Sequence, residues 1–192
     1  MPRIKTALKE ETILRSASRV FALRPFHEVL IDDIASDARI GKGTIYRYFQ
    51  TKDELYFATI LFGIDNLAEA LERILPQEST APRRLERIAK EILSFFWERR
   101  YIYPLLAHDE HHPERRGELL KRREPILRFV QESILSGIER REFRGIDARI
   151  GAELFLGMVR SAYLFRGEND TLEELVSHVM RVFLEGVCRR SA

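Results

Sequence analysis

The chain has 192 residues, 45% hydrophobic and 32% charged, a profile that excludes fibrous and disordered classes and fits an ordinary folded protein. Its single cysteine, Cys188, excludes an intramolecular disulfide framework and an all-cysteine metal site, and no segment reaches the ~18 apolar residues of a membrane span. The net charge is only +2, but residues 1–55 hold ten Lys/Arg against eight Asp/Glu while the other 137 hold 22 of each, so the whole excess lies in the first 55.

Taken in chain order, the elements are helical almost throughout. The start, MPRIKTALKEETILR, lacks an apolar run of signal-peptide length, so a reducing cytoplasm is the expected compartment. Ile13, Ala17, Val20 and Phe21 recur at helical spacing and predict an amphipathic helix over about 6–22, which Arg24-Pro25 stops. Short helices follow at about 31–38 and 42–48. Thr51-Lys52-Asp53-Glu54 has the form of a capping box and opens a long helix from Lys52 towards Ile74. The stretch PQESTAP (76–82) is the best linker, and Leu85, Ile88, Ala89, Ile92, Leu93, Phe95 and Phe96 beyond it keep helical spacing. Leu127, Val130, Ile134 and Ile138 mark a helix kinked or begun at Pro125. Asp147 is a candidate cap for a helix ending near Gly167, and Thr171 with Glu174 forms a second capping box. No alternating strand pattern exceeds four residues, so an all-α fold is expected.

Within this pattern, residues 39–52 carry Arg39, Lys42, Arg47 and Lys52 and no acid. The helices over 31–38 and 42–48, joined by a turn through Arg39-Ile40-Gly41, have the arrangement of a helix-turn-helix. The outward positions of the second of them, Lys42, Gly43, Thr44 and Arg47, are cationic, small or hydroxylic. Acids there would repel phosphates, and small residues let a helix approach a groove closely. The window is clear of acids because a polyanion is expected to lie against it. Gly41-Lys42-Gly43-Thr44 is not a phosphate loop, since it lacks Walker spacing and no strand leads into it.

Phe21, Ile34-Ala35, Gly43-Thr44-Ile45-Tyr46, Tyr48-Phe49, Lys52, Glu54 and Leu55 together resemble the DNA-binding domain of TetR-family transcription regulators over roughly residues 10–57. The resemblance implies DNA contact by Lys42, Thr44, Tyr46 and Lys52, with Gly43 and Arg47 on the same face, and core roles for Ile34, Ala35, Ile45 and Phe49. It implies a helix-turn-helix domain over 1–55 and a helical effector-binding and dimerisation domain over 56–192, with no cofactor and no enzymatic activity. The chain departs from the family at Arg24-Pro25 and at Arg39, where glycine is usual. It departs again at Leu30, where a hydroxyl residue commonly caps, and at Gly41, where serine is frequent.

In the second domain Phe95, Phe96, Trp97, Tyr101, Tyr103, Phe129, Phe155 and Tyr163 are candidates for the wall of a pocket for a mainly apolar effector. The segment Ile150–Phe165 is apolar nearly all round, and Leu175, Val176, Val179 and Phe183 form a stripe on the next helix. With Leu156, Val159 and Tyr163 these are the expected interface of a homodimer, which would set two recognition helices on a palindromic operator as a ligand-released repressor. The alternative reading is a metal-dependent helical enzyme using the His108-Asp109-Glu110-His111-His112 run, whose histidines stand at i, i+3 and i+4.

Overall fold

The computed structural model describes residues 2–99 and 113–187, and every regular element among them is helical. In order these are α1 (Pro2–Leu23), α2 (Ile31–Asp37), α3 (Lys42–Tyr46), α4 (Lys52–Ile74), α5 (Ala81–Glu98), α6 (Pro113–Glu139), α7 (Ala148–Leu164) and α8 (Leu172–Val187). Short 3-10 turns occupy Phe26–Glu28 and Leu75–Gln77.

The helix starts are held by side chains that take the orphan N–H groups of a first turn. Thr51 Oγ1 accepts from the Glu54 N–H at 3.0 Å, and the Glu54 carboxylate reaches back past Thr51 to the Gln50 N–H at 2.7 Å. Thr171 and Glu174 close the full reciprocal box, at 3.3 and 2.8 Å. Asp147 accepts from the Ile150 N–H at 2.9 Å. Leu30 has no oxygen to offer α2, so only the returning half forms there: the Asp33 carboxylate accepts from the Leu30 N–H at 3.0 Å.

The helix does not begin at Pro125. Instead α6 runs 27 residues through it. Proline removes one N–H and crowds the carbonyl four residues earlier, but Lys121 at that position is exposed, so water can take the freed carbonyl.

The chain divides into two compact units, residues 1–66 with 98–119, and residues 67–97 with 120–192. The first is centred on Ile13, Ala17, Phe21, Ile34, Ile45, Leu55 and Ile60, all fully buried. Tyr56 stands edge-on to Phe21 at 4.7 Å and to Phe26 at 5.1 Å, so the first half of α4 completes this core. Leu55, Tyr56 and Ile60 of α4 thus belong to the same core as the buried residues of α1, α2 and α3.

In the second unit Leu85, Ile88 and Leu93 of α5 are buried, as are Val130 and Ile134 of α6 and Phe155 and Val159 of α7. The junction between α6 and α7 is anchored by Phe143, 1% exposed. Glu142 accepts from the Ala81 N–H at 2.8 Å, and Arg140 donates to the Ser79 carbonyl at 2.6 Å. The linker read from the sequence is thus pinned at its C-terminal end. Gly137 lies beneath this junction, and a methyl group there would overlap the Phe143 ring and come within 2.8 Å of the Ala81 side chain. Gly137→Ala is expected to destabilise the protein by about 1–3 kcal/mol in urea unfolding. An unchanged midpoint would show that Phe143 moves aside freely.

Candidate nucleic-acid interface

Helix α3 is five residues long, too short to persist alone. It is held by Ile45, fully buried in the first core, and by Phe49 just beyond it at 5% exposure. Burying one such side chain stabilises by ~1.5–3 kcal/mol. With Ile45 directed inward, Lys42, Gly43, Tyr46 and Arg47 are exposed and Thr44 is half-buried. A Cβ built on Gly41 or Gly43 meets nothing within 4 Å, and neither residue has a positive φ. Nothing among the described residues requires glycine at either position. The bare face is open to a partner.

The four cations of the acid-free window are engaged differently. Lys42 Nζ lies 2.7 Å from an Asp32 carboxylate oxygen on α2, and this hydrogen bond raises the lysine pKa above its usual 10.5. Arg47 donates to the Thr44 hydroxyl at 3.3 Å. Lys52 was expected on the DNA face, yet its ammonium donates to the carbonyls of Phe26 and Val29 at 2.8 and 3.0 Å and lies 4.4 Å above the Phe26 ring. Two of its three donors close the turn between α1 and α2 onto the start of α4, leaving one for a phosphate. Lys52→Ala is accordingly expected to destabilise the fold by about 1–3 kcal/mol as well as weaken DNA binding. Lys42→Ala should leave the melting temperature nearly unchanged. Equal melting temperatures for the two variants would refute this staple role.

The acids missing from the window are gathered on α2. Asp37 binds Arg19 at 2.6 Å, and Asp33 binds Arg24 at 2.8 Å besides capping Leu30. Both carboxyls are held below their usual range, Asp33 chiefly by the Leu30 N–H and Asp37 chiefly by Arg19. Sequence periodicity misses these pairs, because their partners lie on other elements.

Val159, Tyr163, Leu175, Val176, Val179 and Phe183, read as interface, are all buried within the single chain, and Leu156 is half-buried. Phe155 and Phe183 meet edge-on at 5.0 Å, so the inner faces of α7 and α8 pack on each other. Exposed apolar residues lie on the opposite side of α7 and at its C-cap, where Ile150, Leu154 and Phe165 are 48%, 62% and 85% exposed. Their spacing, with exposed Gly157 and Ser161 between, repeats at i, i+4, i+7, i+11 and i+15. That second stripe was present in the sequence but hidden by the first.

Of the expected pocket residues, Phe95 packs edge-on to Phe96, which lies 5.3 Å from Tyr163. The Arg166 guanidinium sits 4.0 Å above the Tyr163 ring and 5.7 Å from that of Trp97. Phe129 is half-buried and Phe155 fully buried. None of these lines the ~310 Å³ cleft between α5 and α8 or the ~330 Å³ cleft beside Arg15, Arg19 and Arg99. Tyr101, Tyr103 and the His108–His112 run lie outside the described residues, as does Cys188. Among the described residues no group of His, Cys, Asp or Glu is placed to hold a metal, and no helix is long and apolar enough to cross a membrane.

Residues 13–59 match the family model for bacterial regulatory proteins of the tetR family. Residues 78–187, more than half of the chain, match the model for the tetracyclin repressor-like C-terminal domain. The chain belongs to the TetR family. This TetR regulator is 23% identical over 191 residues to the fatty acid metabolism regulator protein of Bacillus subtilis, covering 91% of this chain and 93% of that one. It is 28% identical over 99 residues to the HTH-type transcriptional activator FasR of Mycolicibacterium smegmatis, covering 52% of this chain and 45% of that one. Its fold is similar to that of a transcriptional regulator from Saccharomonospora viridis crystallised with choline, with a TM-score of 0.80 at 19% identity over 96% of this chain and 100% of that one. FadR from Bacillus subtilis, crystallised with stearoyl-CoA, gives a TM-score of 0.73 at 19% identity over 92% and 98%. The protein is a DNA-binding transcriptional regulator and not an enzyme, which sets aside the metal-enzyme alternative.

Two of this TetR chain's departures from the family pattern have a structural account. Arg39 adopts a left-handed φ of 54°, where its N–H bonds to Ser36 at 3.1 Å and that of Ile40 bonds to Ala35 at 3.0 Å. This is a Schellman ending of α2, normally closed by glycine. Arg141 ends α6 in the same way at φ 62°. A cation at a helix C-terminus interacts favourably with the helix dipole, which offsets part of the left-handed strain. At Leu30 the bond that a hydroxyl would make to the first turn is missing; the Asp33 N–H bonds to the Leu30 carbonyl at 3.1 Å, and the Asp33 carboxylate supplies only the returning half of the box.

Proposed function

We propose that this regulator is a homodimeric repressor that holds a palindromic operator through α3 and releases it on binding an apolar, anionic-headed small molecule. The observation that carries the DNA contact is the start of α3: exposed Lys42, Gly43 and Tyr46 with open space over both glycines and no acid in the window. Small residues admit the helix to the major groove, cations meet phosphates, and Thr44 and Tyr46 offer hydroxyls to base edges. Operator binding places the protein in the cytoplasm, with the DNA.

Dimerisation is supported by the outer stripe of α7. Ile150, Leu154 and Phe165, exposed along one side with only small residues between them, are costly in water and fit a self-complementary contact with a second copy. Two α3 helices one turn of DNA apart would then read two half-sites. Transmission from the effector is proposed to run along α4, continuous from Lys52 to Ile74. The start of that helix is also gripped by α6, where Arg115 pairs with Asp53 and lies 4.9 Å over the Phe57 ring.

The effector reading rests on the aromatic wall of Phe96, Tyr163 and Trp97 with Arg166 above it. Rings accept an apolar body, and a guanidinium accepts an anionic head while repelling a cationic one. The relatives named as fatty acid regulators make a long-chain acyl thioester the first compound to try. Stearoyl-CoA is expected to raise the melting temperature by mass action, to quench Trp97 and to lower the fluorescence anisotropy of labelled DNA flanking the protein's own gene. Choline should do none of these. Phe96→Ala and Phe129→Ala should weaken the response at least ~10-fold. Choline responding as strongly as stearoyl-CoA would remove the proposed pocket chemistry.

A further inference from the structure

Each acid of α2 binds a cation from another segment, but the three pairs differ in what they tie down. Asp37 and Asp33 bind Arg19 and Arg24, at the end of α1 and just after it, and so fasten α2 to the scaffold. Asp32 binds Lys42, the first residue of α3, inside the window that the sequence keeps free of acids. The acid excluded along the chain is thus returned through space. Both side chains of this pair remain open to solvent, at 63% for Asp32 and 47% for Lys42, so the pair is weak and readily exchanged. Lys42 has no other polar partner among the described residues, and the glycine beside it leaves the approach clear.

We propose that Asp32 is a built-in competitor of the DNA backbone: its carboxylate occupies Lys42 until a phosphate displaces it, which lowers affinity for every duplex alike. The proposal rests on the reading of α3 as the DNA-facing helix. Duplex DNA carries one charge per ~1.7 Å of its axis, so a phosphate at the start of α3 outcompetes a single solvated carboxylate. It does so at a cost, because the displaced anion is left beside the phosphates. That cost is the same on any sequence, since no base edge takes part. Discrimination is left to groups that read bases, and the weakened grip on non-operator DNA lets an effector of modest coupling release the protein.

Asp32→Asn keeps the side chain's shape and removes its charge. Fluorescence anisotropy would be measured over a range of salt on a random-sequence duplex and on the duplex flanking the gene. Affinity for both is expected to rise about fivefold at low salt, with a salt slope steeper by ~0.9 and an unchanged ratio between the two duplexes. Asp32→Ser, which suits the first turn of a helix, must behave the same way, so misfolding of one variant does not decide the matter. In a Lys42→Ala background either substitution should change affinity less than about twofold, because no pair remains to be released. An equal gain with and without Lys42 would mean that Asp32 acts as a diffuse surface charge, and the competitor role would be overturned. No gain in either background would overturn it as well. A parent protein that binds neither duplex at low salt removes the reading of α3 and the proposal with it.

Discussion

Glutamate at Leu154 and Phe165 is expected to split the dimer and lower operator affinity by at least ~100-fold. Both side chains are largely exposed on the outer stripe of α7, so the charges should leave the single chain's fold intact. In a two-fold contact each substitution enters the interface twice, placing four like charges in one desolvated seam. A monomer holds one half-site, and losing the linked second site typically forfeits a factor of ~10²–10⁴. Sedimentation should show a monomer with an unchanged circular dichroism melt. The comparison with Val179→Glu is informative. Val179 is 4% exposed within one chain, so that substitution should unfold the second unit rather than merely separate subunits. A variant at Leu154 and Phe165 that still sediments as a dimer would place the interface elsewhere.

The second large effect is expected from Thr44→Ala with Tyr46→Ala. Each hydroxyl that reaches a base edge is worth ~1–3 kcal/mol of discrimination, so the pair should lose roughly 30- to 10⁴-fold on the operator. Binding to random duplex should fall far less, because Arg39, Lys42 and Arg47 still face the phosphates. Tyr46 is 44% exposed and stacks on no other ring among the described residues, whereas Phe49 nearby is core, so the double variant should fold. Equal losses on both duplexes would reassign Thr44 and Tyr46 to the backbone. No loss on either would displace α3 from the interface.

Local rules account for much of what could be read in advance. Capping residues, proline and apolar spacing act within one or two helical turns, and they located the helix starts at Lys52, Ala148 and Leu172. Proline allowed a helix start at Pro125, but α6 runs through it because a solvated helix face tolerates a missing hydrogen bond. The roles of Ile45 and Phe49 as inward anchors were legible because a helix-turn-helix has few ways to bury its apolar residues.

What could not be read depends on partners far apart in the chain. Lys52 has the same charge whether it meets phosphate or the carbonyls of Phe26 and Val29, 26 and 23 residues away, and only the turn geometry decides between them. Helix α7 carries apolar residues on two opposite faces. Periodicity shows that both exist, but only packing against α5 and α8 determines that Val159 and Tyr163 turn inward while Leu154 and Phe165 remain outside. By itself the sequence determined the helices, their order, the acid-free window and the family likeness, because these follow from neighbours along the chain. Only the tertiary structure decided which face of each helix is left for a partner, and that the acid missing beside Lys42 is supplied by Asp32, because burial and ion pairing depend on distance in space.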